Sequence, residues 1–554
     1  MIYLTRQIIG HLTIKMKQTT IYSYAVTGLL AVGASGALAS CTRDFQEVNT
    51  NPLRPNDEVM KRDNLGVSAN IPDLLFQPLY TALGGTGAAN NYQVIDNLMV
   101  QSWMGYMAPR DAKWSNNNLS QYSFGNQGWL NGAYVNTTQS VLGPWLQVKK
   151  ATMDGAEKHP ELFAIAQITK IMALHRGVDM FGAIPYSKVG SGSFTVPYDS
   201  QEAIYTSFFQ ELTDAVNALR TWGQISTLDY VYGGNAKQWM KLGNSLMLRL
   251  AMRVRFAAPE LSKKYAEQAA NDPAGLILDN ADNAWIGEKL GIKPVNSLYI
   301  VAKAYDDTRM GASVYTYLKG YNDPRLSVYF EPYKKGEEVG NMDTAVPPAI
   351  PQTGDKYNKA TCVKVGNWDP SVWMTASEVE FLLAEAAVAN YAVPGTAQSH
   401  YENGVKRSFE QFKLDGADAY LKGTGKPIPF KDNITPEYSA DAPATVTVKW
   451  DEGLNEEQKL EKIITQKYLA LFPNGMEAWS EWRRTGYPLL IKPNGNISTH
   501  GMVTSDGHKD GMRIFPYPQD EIDKNAENVN AAINSYRGGS NAANVNVWWD
   551  KKEK

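Results

Sequence analysis

The residue types that most often carry catalysis occur in this 554-residue chain, but none of them forms a catalytic pattern. There is no His-Glu-x-x-His pair and no cysteine partner for a histidine, so a catalytic zinc has no support. There is also no Gly-x-Ser-x-Gly nucleophile elbow. We therefore predict no metal site and no cofactor. The six histidines are scattered over the chain: His11, His159, His175, His400, His500 and His508.

Paired carboxylates are the catalytic arrangement that the sequence leaves open, because two Asp or Glu side chains can meet from distant positions in a fold. No particular pair is favoured. Glu378, Glu380 and Glu385 lie in one amphipathic segment, where helix capping and solvent exposure explain them more simply. We predict a binding protein that is not an enzyme. A glycoside hydrolase stays as one alternative, and a surface adhesin or structural subunit as another.

Aromatic and amide side chains favour ligand binding instead. The chain has 14 Trp and 30 Tyr, and flat rings with neighbouring amides suit neutral polar ligands. The net charge of −3, without a Lys/Arg-rich block, argues against a nucleic-acid partner. We expect ligand contacts in the aromatic loop that follows a helix near Asp96, and in a second loop-rich stretch. For each of these rings the alternative is packing in the core. The predicted contacts are Trp103, Tyr106, Trp114, Tyr122 and Trp129 with Asn116 and Asn126, and then Trp285 and Tyr299.

The secondary-structure elements that must position these side chains show mainly the periodicity of helices. We predict helices over 165–178, 204–219, 239–254, 379–386 and 460–471. Capping residues mark the start of three of them, namely an Asp199-x-x-Glu202 box, Asn235, and Thr375. Residues 445–450 are the best strand candidate. The long loops are 108–138, 280–295, 334–367 and 416–444.

The pattern as a whole predicts a mainly α fold with little β, in which helix pairs form an α-solenoid core and long irregular loops interrupt the helices. No clean tetratricopeptide consensus appears at its 34-residue period.

The N-terminus has the order of a secretory signal. Lys15 and Lys17 precede an apolar and small-residue run over 24–37, and Leu38-Ala39-Ser40 follows. The run has about 14 residues, whereas a membrane-spanning helix needs about 20. We therefore predict a removable signal peptide over residues 1–40. Met16 gives a cleaner translation start than Met1.

The junction before Cys41 resembles the processing box of bacterial lipoproteins, in which the cysteine is acylated and becomes the new N-terminus. We predict that Cys41 carries the lipid, that 41–64 is a polar tether, and that 65–554 is a single binding domain. Cys362 is the only other cysteine, so no intrachain disulfide is possible once Cys41 is lipidated.

At four places the chain resembles the SusD/RagB family of nutrient-binding outer-membrane lipoproteins. The matching segments are Cys41 with 44–52, Asp179-Met180-Phe181-Gly182-Ala183-Ile184-Pro185-Tyr186 with 239–253, Asp323-Pro324-Arg325-Leu326 with 378–386, and 479–488 with 513–518. No single segment is decisive, but their order spans nearly the whole mature chain.

The resemblance implies a helical fold with tetratricopeptide-like helix pairs and no catalytic activity. It also implies a SusD-like protein, lipid-anchored in the outer membrane and facing the cell surface, that binds a glycan or peptide oligomer. The implied partner is a SusC-like TonB-dependent transporter, with this protein as a lid over the barrel mouth. We expect Trp479 and Trp482 to pack in the core. Trp548 and Trp549 either contact that partner or dock on the protein's own body.

Overall fold

The computed structural model describes residues 89–110, 119–125, 127–154, 158–288, 293–351, 355–498 and 511–553. The predicted signal peptide, Cys41 and the tether lie outside the described residues, so these assignments and the domain boundaries stay predictions. None of the helices in the described ranges combines the length and the apolar character that a membrane span requires.

Helices make up most of the secondary structure in these ranges, which confirms the mainly α prediction. The α-helices are α1 (Ala89–Tyr92), α2 (Gln127–Thr137), α3 (Gln139–Met153), α4 (Pro160–Phe181), α5 (Gln201–Leu219), α6 (Ala236–Arg253), α7 (Pro259–Ala270), α8 (Ser297–Tyr299), α9 (Ala312–Gly320), α10 (Leu326–Tyr329), α11 (Ala376–Val388), α12 (Ala397–Gln411), α13 (Ala417–Tyr420), α14 (Glu456–Leu471), α15 (Gly475–Thr485), α16 (Gln519–Lys524) and α17 (Ala526–Tyr536). A π-helix, Gln93–Gln101, continues α1, and a second one, Ile300–Ala304, continues α8. The five predicted helical segments fall on α4, α5, α6, α11 and α14.

Strands in the described ranges are short and pair in twos, always antiparallel. The pairs are β1 (Met107–Pro109) with β5 (Thr308–Met310), β2 (Ile184–Pro185) with β3 (Tyr198–Asp199), β4 (Ala284–Ile286) with β10 (Ser371–Met374), β6 (Phe330–Glu331) with β9 (Cys362–Val363), and β7 (Lys334–Lys335) with β8 (Glu338–Val339). These strand pairs connect loops and do not form a larger sheet.

The strand prediction for residues 445–450 is wrong. Tyr321 donates its hydroxyl hydrogen bond to the Val446 carbonyl at 2.9 Å, and Tyr401 donates to the Val448 carbonyl at 2.6 Å. The Lys462 ammonium group donates to the carbonyl between them. Because side chains satisfy these carbonyls, the segment runs over the helices without a partner strand.

Side-chain caps fix where several helices begin. Asn235 and Thr375 cap α6 and α11 as predicted, each accepting a hydrogen bond from the backbone N–H three residues further on. For α5 the cap is Ser200 and not Asp199. The Asp199 carboxylate instead accepts hydrogen bonds from the two backbone N–H groups that follow β2. The capping prediction for α5 was therefore off by one residue.

Consecutive long helices pack side by side, as the tetratricopeptide-like prediction requires. Helix α3 packs on α4, α4 on α5, α5 on α6 and α6 on α7, and α14 packs against both members of the α11–α12 pair. Helix α6 also contacts α4, α11 and α15, so it lies at the centre of the packing. Apolar stripes at helical spacing produce these contacts, because each stripe is buried only against a neighbouring helix.

The C-terminal segment docks on the helices. Trp549 is fully buried, and its indole N–H donates to the Asp179 carboxylate at 2.8 Å. The backbone N–H of Trp548 donates to the side chain of Gln201 at 2.8 Å. The structure therefore favours docking of this tail on the protein's own body over a role in partner contact. Trp479 and Trp482 are buried as predicted.

A buried ion network joins the central helices. Arg249 of α6 binds Glu378 of α11 through two N–H···O hydrogen bonds of 2.7 Å. One turn later, Arg253 donates to Glu477 of α15 at 2.6 Å. Lys467 of α14 lies 3.7 Å from the same Glu477 carboxylate. Each of these charges faces an opposite charge on another helix, and Glu477 is shared by Arg253 and Lys467.

The solvent-exposed interpretation of Glu378, Glu380 and Glu385 is therefore wrong, because all three are buried. The Glu380 carboxylate lies 2.6 Å from Nδ1 of His400, and Glu385 accepts two hydrogen bonds from Arg484, at 2.6 and 2.7 Å. Periodicity in the sequence could not predict this burial, because a carboxylate paired with arginine between two helices has the same spacing along the helix as an exposed carboxylate.

Burial alone would raise the pKa of Glu385, but Arg484 and Arg255 outweigh it and lower that pKa from 4.5 to about 2. A carboxyl whose pKa is depressed by folding contributes stability above its ordinary pKa. That stability is lost as the pH falls through the folded value. Glu385 therefore stabilises the fold at neutral pH and ceases to do so towards pH 2.

We predict that Glu385→Gln lowers the free energy of unfolding by about 3–5 kcal/mol at pH 7, because Arg484 and Arg255 then lack their buried counter-charge. The difference from wild type should shrink between pH 4.5 and 2, since wild type loses the charge that the variant never had. Urea unfolding midpoints measured across this range test it. Glu410→Gln, at an exposed carboxylate, is the control and should match wild type. A difference that did not vary with pH would contradict the prediction.

Candidate functional site

Trp103 follows the π-helix Gln93–Gln101 and is only partly buried. Its indole N–H donates to the Leu119 carbonyl at 2.9 Å. Its ring centroid lies 5.7 Å from that of Trp479 and 5.8 Å from those of Tyr122 and Phe515. This ring therefore packs against the core, although the residue is not fully buried.

Tyr106 does not reach the surface. It is fully buried, stacks on Tyr468 with a centroid distance of 4.5 Å, and bonds the Tyr468 carbonyl through its hydroxyl. Tyr106 lies one residue before β1, and because none of its surface is exposed, its selection as a ligand contact is corrected. The core alternative holds for this residue.

Tyr122 is also buried, with 6% of its surface exposed. It lines, with Trp103, Ala349 and Gly511, a shallow depression of about 30 Å³. That volume holds about one water molecule and not a sugar ring. Tyr122 and Ala349 both have positive φ, 69° and 51°, a backbone conformation that costs a non-glycine residue free energy. The depression is thus a tightly fitted junction of loops, and Tyr122 is a core residue.

The remaining contacts predicted in the first stretch divide into two groups. Trp129 lies on α2 and is partly buried, so the predicted loop 108–138 contains a helix. Trp114, Asn116 and Asn126 lie outside the described residues and stay predictions. Arg110 is the last described residue before Trp114, and its guanidinium donates to the Asn358 side chain at 2.8 Å.

Three aromatic residues on neighbouring segments, Trp285, Tyr299 and Trp368, are at least partly exposed, and we call them the exposed aromatic patch. Trp285 lies on β4 opposite Val372 of β10 and is partly exposed, and so is Tyr299 at the end of α8. Trp368, three residues before β10, has 45% of its surface exposed. An indole ring of this exposure is available for stacking on a flat apolar face.

Asn296 joins the segments that carry two of these rings. Its side-chain oxygen caps α8, accepting a hydrogen bond from the Tyr299 backbone N–H at 3.3 Å. Its side-chain amide donates to the Asp369 carbonyl at 3.1 Å, and its backbone N–H donates to the Asn367 carbonyl at 2.9 Å. One buried asparagine therefore fixes the positions of α8 and of the turn with Trp368.

Charge also borders the patch. The Lys293 ammonium nitrogen lies 5.4 Å from the Trp368 ring centroid and 2.7 Å from the Glu288 carboxylate. An indole face flanked by one cation and one carboxylate can stack on a sugar ring while its hydroxyls receive and donate hydrogen bonds. Among the described residues, no group of three His, Cys, Asp or Glu side chains is arranged to hold a metal ion.

Sequence reasoning missed Trp368, because residues 334–367 were treated as one long loop that ended just before it. The available signal was Gly366-Asn367-Trp368-Asp369-Pro370, an aromatic residue enclosed by turn-forming residues. A tryptophan in such a turn has few neighbours to bury it.

Helix pairs that support exposed aromatic loops define a binding scaffold. Residues 47–550 match the SusD-like family, described as Susd and RagB outer membrane lipoprotein, so the chain belongs to this family. This confirms the resemblance that the four sequence segments indicated.

Solved structures agree with this assignment. A chitin-binding SusD homolog from Flavobacterium johnsoniae is 31% identical, with a TM-score of 0.81, over 88% of this chain and 99% of that one. SusD homologs from Bacteroides uniformis and Bacteroides thetaiotaomicron are 35% and 33% identical, each with a TM-score of 0.77 over the same shares of the two chains. No curated protein sequence matches the chain.

We predict that Trp103→Ala lowers the free energy of unfolding by about 3 kcal/mol, because it removes a ring packed on three others. Trp368→Ala should change it by about 0.5 kcal/mol, because nearly half of that ring faces solvent. Urea unfolding followed by far-UV circular dichroism measures both. Equal losses for the two variants would mean that Trp368 packs as a core residue.

Proposed function

We propose that this protein is a lipid-anchored glycan-binding protein of the outer membrane, which captures oligosaccharides and passes them to a SusC-like TonB-dependent transporter. The observation that carries the proposal is membership of the SusD-like family together with full-length similarity to a chitin-binding homolog. The proposed ligand contacts are the exposed aromatic patch together with Trp114, Asn116 and Asn126.

The patch suits a glycan for a physical reason. The faces of a pyranose ring are rich in C–H groups and stack on indole, while its hydroxyls need hydrogen-bonding groups at the ring edge. Trp368 supplies an exposed indole, and Lys293 and Glu288 supply a donor and an acceptor beside it. A peptide oligomer is the alternative ligand, which the binding experiment separates from a glycan.

Binding without turnover is part of the proposal. The buried carboxylates Glu378, Glu385 and Glu477 are each engaged by arginines that hold helices together. A carboxylate that anchors a buried ion pair is not available as a general acid or a nucleophile. A glycoside hydrolase would shorten its oligosaccharide, and an adhesin would bind protein filaments rather than soluble glycans.

Delivery to a partner follows from the lipid anchor that we propose at Cys41. A tethered binder raises the local concentration of ligand above a transporter mouth, so a weak site can still supply transport. Closure of the binder as a lid over the barrel would also retain captured ligand.

We predict that Trp368→Ala weakens binding of chitohexaose about tenfold, because loss of a stacking ring costs about 1.4 kcal/mol. Trp285→Ala should weaken it as well. Isothermal titration calorimetry measures both, and Trp222→Ala is the matched control at an exposed tryptophan outside the patch. The control should bind like wild type. If wild type binds hexapeptides but none of a panel of neutral glycans, the glycan assignment is contradicted. If wild type shortens chitohexaose, binding without turnover is contradicted.

We predict that Cys41→Ala moves the protein from the membrane fraction to the soluble fraction. From membranes that contain wild type, extraction with mild detergent should recover a TonB-dependent barrel together with the tagged protein. Fractionation and mass spectrometry of the pulled-down material measure the two effects. An unchanged membrane fraction for the variant would contradict lipidation of Cys41. Recovery of this chain alone in several mild detergents would contradict the partner.

A further inference from the structure

His400 of α12 lies between two hydrogen-bond acceptors. Its Nδ1 lies 2.6 Å from the Glu380 carboxylate of α11, and its Nε2 lies 2.5 Å from the backbone carbonyl of Pro394, in the loop that joins α11 to α12. A neutral imidazole has one N–H donor, and its other nitrogen is an acceptor. In the neutral ring, one of the two nitrogens would therefore face an acceptor without a proton between them. Both contacts are hydrogen bonds only when the His400–Glu380 pair holds one proton more than a neutral imidazole and a carboxylate.

The surroundings of His400 retain this proton. Burial opposes a charged ring, but the hydrogen bonds with Glu380 and Pro394 and the negative charge of Glu380 together outweigh it. They raise the pKa of His400 above its ordinary value of 6.5. His175 of α4 shows the opposite result, because burial and repulsion from Arg249 lower its pKa to about 3. The carboxylate bonded to the ring is therefore what keeps the proton on His400.

The ionisable groups that neighbouring elements contribute to this region are each hydrogen-bonded to a residue other than His400. These groups are Glu378 and Glu385 of α11, Glu402 of α12, Tyr391 of the loop, Glu267 of α7 and Lys462 of α14. Helices α11 and α14 both pack against α12, and α7 contacts the loop. Among the described residues, the charged side chain bonded to the His400 ring is that of Glu380.

The loop over residues 391–396 is held at both ends. At its start, the Ala392 backbone N–H donates to the Glu267 carboxylate at 2.8 Å, and the Asn271 side chain donates to the Ala392 carbonyl at 2.8 Å, so α7 fixes this end. At its other end, Gly395 has a φ of +88°, and a Cβ there would lie 2.6 Å from Nε2 of His400. A residue with a side chain would collide with the ring, so glycine permits the close approach. The His400 contact thus closes the end of the loop that α7 does not hold.

We propose that His400 is a pH-sensitive contact, which fastens the 391–396 loop to α11 while its ring carries the proton and releases the loop when the proton is lost. Loss of the proton leaves one ring nitrogen facing either Glu380 or Pro394 without a donor, so one of the two hydrogen bonds breaks. A group whose pKa is raised by folding stabilises the fold fully below its ordinary pKa, and this stability is lost as the pH rises through the folded value. The loop therefore loosens above pH 6.5. The proposal does not rest on the proposed ligand.

The first test is an NMR titration of the histidine Cε1–H resonances in the full chain, in which His400→Gln identifies the signal of His400. In wild type this signal should titrate with a midpoint above pH 6.5. Glu380→Gln keeps the histidine and removes the charge of its partner, so the midpoint should fall. A wild-type midpoint at or below 6.5, or a midpoint that Glu380→Gln leaves unchanged, would overturn the proposal.

The second test is hydrogen exchange of the loop amides over 391–396, compared between proteins at the same pH so that the intrinsic pH dependence of exchange cancels. At pH 6 these amides should exchange about tenfold faster in His400→Gln than in wild type, because a charge-assisted hydrogen bond is lost. At pH 9 the two proteins should agree, because the wild-type ring is then neutral.

Two further variants complete the exchange experiment. Glu380→Gln should also exchange faster than wild type at pH 6, so the result does not depend on one variant. Asn403→Gln, at an exposed position of the same helix, is the matched control and should behave like wild type at both pH values. If the ratio of exchange rates between His400→Gln and wild type is the same at pH 6 and pH 9, the contact does not respond to pH and the proposal is overturned.

Discussion

The structure depends on the contacts of one buried carboxylate, Asp179, at the end of α4. The Tyr205 hydroxyl of α5 and the Trp549 indole N–H both donate to it, at 2.5 and 2.8 Å, and Arg253 of α6 lies 3.6 Å away. The backbone carbonyl of the same residue accepts a hydrogen bond from Arg483 of α15 at 2.7 Å. Burial raises the pKa of Asp179 and these partners oppose the shift. A residue that is costly to bury alone thus specifies the mutual positions of three helices, the α15 segment and the C-terminal tail.

This constraint explains why the family resemblance spans the chain although its segments are far apart in sequence. Asp179 belongs to the Asp179–Tyr186 segment, Arg253 to the α6 segment and Arg483 to the segment of 479–488, and the three meet at one buried point. Ion pairs of this kind add little net stability compared with apolar packing, but a missing partner leaves an uncompensated charge. They therefore select one arrangement of helices. With the helices fixed in this way, the exposed loops between them are available to hold binding groups.

The sequence predicted the helices better than the burial of individual rings, for different physical reasons. Helical periodicity and caps are local signals, so Asn235 and Thr375 were assigned correctly and the Ser200 cap was missed by one residue. Burial of a single ring is decided by distant segments. Tyr106 and Trp103 lie only three residues apart, yet the first is fully buried, because Tyr468 stacks on it, and the second is only partly buried. The strand prediction for residues 445–450 was also wrong because of distant segments, since side chains from elsewhere in the fold satisfy the carbonyls of these residues.

The way in which the exposed aromatic patch is held in place bears on what it can select. In the aromatic patch, Asn296 holds the backbone next to Trp368, and the indole of Trp368 stays exposed. The ring can therefore stack on any ligand with a flat apolar face. Stacking on an exposed ring tolerates variation in sugar identity, so selection among glycans must come from hydrogen-bonding groups at the edge of the sugar, such as Lys293 and Glu288.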